Sequence, residues 1–178
     1  MTEISVAQFV DRMIRASKLE TRLYEEVETD PRATGQALGI VLLSSLAAGI
    51  GNSVHGGVAG LVMGTVAALL GWYAWASITY VIGAKLFPMP ETSTSHGALL
   101  RMLGFASAPG LLRALGLVPG LTGMAFLVAA VWMLLATVIA LRQALDYTST
   151  TRAVGVCVIG WLVQLLIMLP LFVLFGGD

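Results

Sequence analysis

Five apolar runs, each about 20 residues long and divided by short polar breaks, constrain this chain more than any other feature of its sequence. A run of that length crosses a hydrocarbon core of about 30 Å as an α-helix. In lipid every backbone N–H and C=O must be satisfied internally, which leaves helical bundles and closed barrels as the permitted solutions. A barrel needs apolar residues in period-two alternation, and these runs lack it. The expected fold is therefore an all-α membrane protein, a five-transmembrane-helix bundle with an N-terminal amphipathic interfacial helix. Composition agrees: 11% of the 178 residues are charged and 57% hydrophobic, too little charge to coat a water-soluble globule, where about 25% is usual.

Residues 1–30 read as a separate cytoplasmic segment. Ser5 with Gln8 resembles a capping box, after which Phe9, Val10, Met13, Ile14, Leu23, Tyr24 and Val27 recur at helical spacing. Asp11, Arg12, Arg15, Lys18, Arg22 and Glu26 take the opposite face. This predicts one amphipathic helix, lying on the membrane surface or docked against the bundle. Its mixed charges and interrupted apolar face separate it from a cleavable signal peptide, so the first span is expected to direct insertion. Asp30-Pro31 ends the helix, since proline disfavours helical geometry in the residue before it.

Residues 31–178 then hold the five spans, expected over 33–50, 58–87, 97–117, 121–145 and 153–175. The second would be about 45 Å long at 1.5 Å per residue, so it must tilt or protrude. The third contains Gly104, Pro109, Gly110 and Gly116 and is expected to kink or break near Pro109. Pro119-Gly120 is expected to open the fourth helix, with the proline near its first turn. With the N-terminus inside, Arg12, Arg15, Lys18, Arg22, Arg32, Lys85, Arg101, Arg142 and Arg152 fall on the cytoplasmic side, and Arg113 alone falls outside.

Chemistry is sparse. The spans hold no carboxylate, and His55 and His96 are placed on opposite sides without ligand neighbours, so no metal and no cofactor is expected. Ser44, Ser45, Ser77 and Thr79 have no base in evident reach and read as hydroxyls bonding across helices or to their own backbone. The chain is thus expected not to be an enzyme. Zero formal net charge gives no case for a nucleic-acid partner. The lone Cys157 sits in an apolar run and says nothing of compartment. Gln164, the most polar side chain of the last span, either bridges helices or lines a polar path.

Gly56, Gly60 and Gly64 recur every four residues and continue toward Ala67 and Gly71, a flat face that suits close helix approach. It reads as packing of the first two spans within the chain, or as a dimer interface. Trp72, Tyr73, Trp75 and Tyr80 mark the second half of the same span, with Tyr80 and Trp75 near the cytoplasmic boundary. The richest polar constellation joins Tyr24, Glu25, Glu26, Glu28, Asp30 and Arg32 with Arg142, Gln143, Asp146, Tyr147 and Arg152. If these segments meet, Arg142 and Arg152 have acidic partners, and the network either presents a docking surface or fastens the N-terminal helix to the bundle.

Three stretches together carry a family resemblance: Leu23-Tyr24-Glu25-Glu26-Val27 through Asp30-Pro31-Arg32-Ala33, then Leu103-Gly104-Phe105-Ala106-Ser107-Ala108-Pro109-Gly110-Leu111, then Arg142-Gln143-Ala144-Leu145-Asp146-Tyr147. The chain resembles the prokaryotic branch of the Ypt-interacting-protein (YIP) domain family. That resemblance implies a cytoplasmic N-terminus, a small helical bundle and a non-catalytic role. Eukaryotic members are linked to Rab-type GTPases and vesicle traffic, partners that a chain without their long N-terminal domain need not share. The expected function is a scaffold, assembly factor or accessory subunit in the bacterial inner membrane, in contact with the lipid bilayer and with a membrane-protein partner or a second copy. The alternative is a small transporter, channel or lipid-moving protein that uses the broken third span.

Overall fold

A computed structural model describes residues 6–51, 57–90 and 92–175, with 168–175 described by backbone alone. Two short helices, α1 (Val6–Ser17) and α2 (Thr21–Thr29), precede α3 (Ala33–Gly51) and α4 (Gly57–Tyr80), which continues as a π-helical turn over Val81–Leu86. Next come α5 (His96–Phe105), a 3-10 segment (Ala108–Leu117), α6 (Thr122–Ala144) and α7 (Thr150–Phe175). Five helical stretches are long and apolar enough to cross a membrane: Ala33–Gly51, Val58–Leu86, His96–Leu117, Thr122–Ala144 and Thr150–Ile167. The chain is an all-α membrane protein with the expected five spans.

The single N-terminal helix expected from periodicity is in fact two. Leu19 adopts φ 61°, and Glu20 N–H and Leu19 N–H donate to the carbonyls of Arg15 and Ala16 at 3.1 and 3.0 Å. This is the hydrogen-bonding of a Schellman stop, with leucine where glycine is usual. A left-handed residue with a Cβ costs about 1–2 kcal/mol, so the contacts that flank the turn must hold it. Trp132 Nε1 donates to the Ser17 carbonyl at 2.8 Å, and Arg15 pairs with Glu20 at 3.2 Å across the turn. α6 ends in the same way, with Asp146 at φ 52° and Tyr147 N–H donating to the Arg142 carbonyl at 2.9 Å.

α1 is inverted relative to a helix on a soluble protein. It buries Arg12 and Ala16 while Val6, Val10 and Ile14, spaced four apart, are 78%, 40% and 46% exposed. Such a face is favourable only against lipid, in keeping with an interfacial helix.

The third span breaks where expected. α5 ends at Phe105, and the 3-10 segment starts at Ala108 with Pro109 in its first turn, where the missing N–H costs least. Pro119-Gly120, by contrast, lies in the turn before α6 rather than in its first turn. Gly120 takes φ 85° and the helix starts at Thr122, whose Oγ1 donates back to the Gly116 carbonyl at 2.7 Å.

The 3-10 segment packs most extensively, against α3 on one side and α6 on the other. Small residues make this possible: Gly104 and Gly110 on the broken span meet Ala37 and Ser44 of α3, Ala106 and Ala108 between them are buried, and α6 buries Ala125, Ala129, Ala136, Ala140 and Ala144. With no difference in hydrophobicity between lipid and Leu, close backbone approach of this kind supplies the packing energy in a membrane. α4 packs on α3, α5 and α7, and its outward Val62, Met63, Val66 and Leu70 are exposed, as lipid-facing residues should be. α2 lies on α5 and α6 near the cap of the bundle.

Candidate interaction network at the N-terminal cap

Arg12 is the centre of the polar cap. Only 4% exposed, its Nε donates to Glu26 Oε1 at 2.9 Å, Nη1 to Gln36 Oε1 at 2.8 Å and Nη2 to Asp30 Oδ2 at 3.0 Å. One guanidinium thereby joins α1, α2, the α2–α3 turn and α3. Arg15 adds bonds to Glu26 Oε2 at 2.8 Å and to both carboxylate oxygens of Glu20 at 3.2 Å. Arg101 of α5 donates to the carbonyls of Val27, at 2.7 Å, and of Glu28, so it caps the C-terminal end of α2 with a cation.

The carboxylates respond in opposite directions. Burial pushes Glu26 up, but the guanidinium hydrogen bonds of Arg15 and Arg12 outweigh it and hold the carboxyl below its ordinary value of 4.5. Glu28 is raised, first by burial and then by the nearby charge of Asp146. For Glu26, a folded value below the unfolded one means stability fully present above the unfolded value and lost as pH falls through the folded one. Glu28 has the reverse sign and favours the docked state as acid is added. The expected result is protease release of α1 as the pH falls below 4.5, with the release blunted in Glu26→Gln; a wild-type cleavage rate flat down to pH 3 would refute the role of Glu26.

Glu25 and Asp146 lie close enough to Glu28 for their charges to act on it, but the arginines expected to pair with these acids do not do so. Among the described residues Arg142 pairs with no acid: its Nε donates to the Tyr147 carbonyl at 3.3 Å and Nη1 to Thr150 Oγ1 at 3.2 Å. Arg152 Nη1 lies on the Met89 sulfur. Arg32 enters no ion pair among the described residues, and its backbone N–H donates to Asp30 Oδ1 at 3.0 Å. The link between the two segments is Gln143 Nε2 to Glu25 Oε1 at 2.7 Å. Tyr24 is fully buried, its hydroxyl without a hydrogen-bond partner, and burial pushes its ionisation upward. The arginines that do the pairing, Arg12 and Arg15, look solvated in sequence because only the docking of α1 onto α2 turns that face inward.

The family model for the Yip1 domain matches residues 21–172. The chain belongs to the Yip1 domain family. Comparison with curated proteins and with solved structures gives no match. The Yip1 domain match takes in α2 and reaches into α7, and it leaves α1 outside. Arg12 and Arg15 are therefore contributed to the cap by a helix that precedes the matched domain.

Within the Yip1 domain the glycine face of α4 differs from expectation. Among the described residues a Cβ added at Gly60, Gly64 or Gly71 would meet nothing within 4 Å, so these glycines make no close approach to the first span; Gly56 lies outside the described residues. The close approaches are elsewhere. A Cβ at Gly51 would fall 1.9 Å from the Arg113 carbonyl oxygen, one at Gly104 2.6 Å from Ala37 Cβ, and one at Gly110 2.0 Å from Ser44 Oγ.

Ser77 does have a base within reach, which spacing did not reveal. Its Oγ is 2.9 Å from His96 Nε2, and the imidazole stands edge-on to Tyr73 and Tyr80. The hydroxyl also lies 2.8 Å from the Tyr73 carbonyl, and the His96 tautomer sets which member of the Ser77–His96 pair donates. The pair is helix-to-helix glue between α4 and α5. The Yip1 family is not known as enzymatic. No group of metal-ligating side chains occurs among the described residues.

Proposed function

We propose that this chain is a non-catalytic scaffold or accessory subunit of a membrane complex, holding a partner's transmembrane helix on the open face of α4. The carrying observation is the contrast among its glycines: Gly60 and Gly64 are exposed and free of any neighbour, while Gly51, Gly104, Gly110 and Gly116 are filled by the chain's own helices. A flat, unfilled small-residue face permits backbone approach that bulky lipid-facing residues prevent. The polar cap supports the same reading, because its acidic residues are engaged in fastening α1 and α2 and supply no reactive group. The nine-to-one partition of basic residues supports a cytoplasmic N-terminus and an extracytoplasmic C-terminus, and the likeness to prokaryotic members of the family supports a bacterial inner-membrane location.

Gly60→Leu tests this directly. The expected outcome is an unchanged unfolding temperature of the isolated chain together with a lower mass for the complex extracted with its native lipid. An unchanged complex would show that the α4 face is idle, and capture of a second copy alone would make the partner this chain itself. A second reading, passage of a solute or lipid, is favoured by one feature: the break at Ala106 and Ser107 adjoins a cavity that Gln164 lines.

A further inference from the structure

All five spans contribute to one cavity of about 500 Å³, and they do so from the middle of their length: Ser44 and Ser45 on α3, Trp72 and Trp75 on α4, Met133 and Thr137 on α6, Trp161 and Gln164 on α7. The broken third span adds Ser107 and Arg113. Of these, Arg113 is the anomaly. It belongs to the last turns of its span, and a long cation so placed ordinarily snorkels to the nearer interface. Instead its Nη2 lies 3.2 Å from the sulfur of Met133, at the midpoint of α6, and its guanidinium carbon stands 5.8 Å from the centre of the Phe126 ring. Its Nε is buried with no hydrogen-bond partner, and no carboxylate pairs with it among the described residues.

A thioether and a ring face are weak compensation for a guanidinium. A charged side chain within a spanning segment is costly, and a desolvated charge is ordinarily paired. The group that would satisfy it is an oxyanion, which a guanidinium can bind through two parallel hydrogen bonds. The remaining lining suits the rest of such a ligand: hydroxyls of Ser44 and Thr137 and the amide of Gln164 offer further donors, and Val41, Leu103, Leu134 and the three tryptophans offer apolar wall.

We propose that Arg113 binds a phosphate group within this cavity, carried either by an anionic amphiphile or by free phosphate. The proposal goes beyond the scaffold reading and does not depend on it. A partner on α4 and a phosphate at Arg113 use different residues, so either can fail alone.

The test uses the full chain in uncharged detergent, titrated separately with dihexanoyl phosphatidylglycerol, inorganic phosphate and phosphate-free dihexanoylglycerol. Tryptophan fluorescence reports occupancy, because three of the four tryptophans line the cavity. The expected result is saturable binding of the phospholipid that is at least tenfold weaker in Arg113→Gln, whose unfolding temperature without ligand is no lower than that of the wild type. Gln164→Leu, which leaves the arginine in place, should weaken the same binding, so the proposal stays testable if the first variant misfolds. Saturation by inorganic phosphate with the same dependence on Arg113 would support the site and assign it a soluble source. Equal binding of dihexanoylglycerol, undiminished binding in Arg113→Gln, or no saturation by either phosphate probe would overturn it.

Discussion

Gly104→Leu is expected to abolish recovery of the folded chain from mild detergent, and Gly104→Ala to lower its stability by about 1–3 kcal/mol, the usual penalty for overpacking. The reason is where the new atoms would go. A Cβ at this position would lie 2.6 Å from the Ala37 Cβ and 3.1 Å from its Cα, and neither can rotate away. α3 and α5 would have to separate, and with them the small-residue seam on which the 3-10 segment rests. Size-exclusion profiles and unfolding temperatures of the two variants check this. A monodisperse Gly104→Leu protein melting with the wild type would show that the seam is looser than its geometry. Gly60→Leu is the matched control, since a Cβ there meets nothing within 4 Å among the described residues.

Arg12→Met is expected to release α1 and leave α3 to α7 folded. Methionine keeps much of the apolar stem and removes every donor, so Gln36 Oε1 and Asp30 Oδ2 lose their partner, while Asp30 Oδ1 keeps the Arg32 N–H and Glu26 retains Arg15. Removing one member of a fully buried ion pair costs about 3–5 kcal/mol. Here the carboxylates remain 38% and 27% exposed, so solvent screening brings the expected loss to about 2 kcal/mol. Hydrogen exchange resolves it: protection should fall in residues 6–17 and persist in the spans. Unchanged protection of α1 would mean that its apolar face, and not the arginine, holds it.

The contrast between these variants shows where the sequence is legible. Five spans and a break at Pro109 follow from run lengths and from proline's missing N–H, both local properties, and the structure has both. The stop at Leu19 is not legible, because leucine carries no left-handed signal and Trp132, which steadies the turn, is more than a hundred residues away. Glycine spacing on α4 draws attention to the wrong face for intrachain packing, since periodicity states that a face is flat and not which helix meets it. The alanines of α6, equally small, do that packing. In the cap, charge patterning locates the acids, yet the choice of Arg12 over Arg142 depends on the fold of α1 against α2. Arg113 reads as the one basic residue toward the outer end of its span until the 3-10 segment turns it inward.

Tyr147 sets an order of assembly. Its buried hydroxyl lies 3.2 Å from the Gly83 carbonyl and 2.9 Å from that of Phe87, at the π turn that ends the second span. A π turn shifts the hydrogen-bond ladder by one residue and leaves acceptors at its end to be met from elsewhere. During synthesis the second span therefore leaves the ribosome without the donor that Tyr147 brings to its π turn, and it stays so until the fourth span has followed it. The second span is completed by a residue made some sixty positions later.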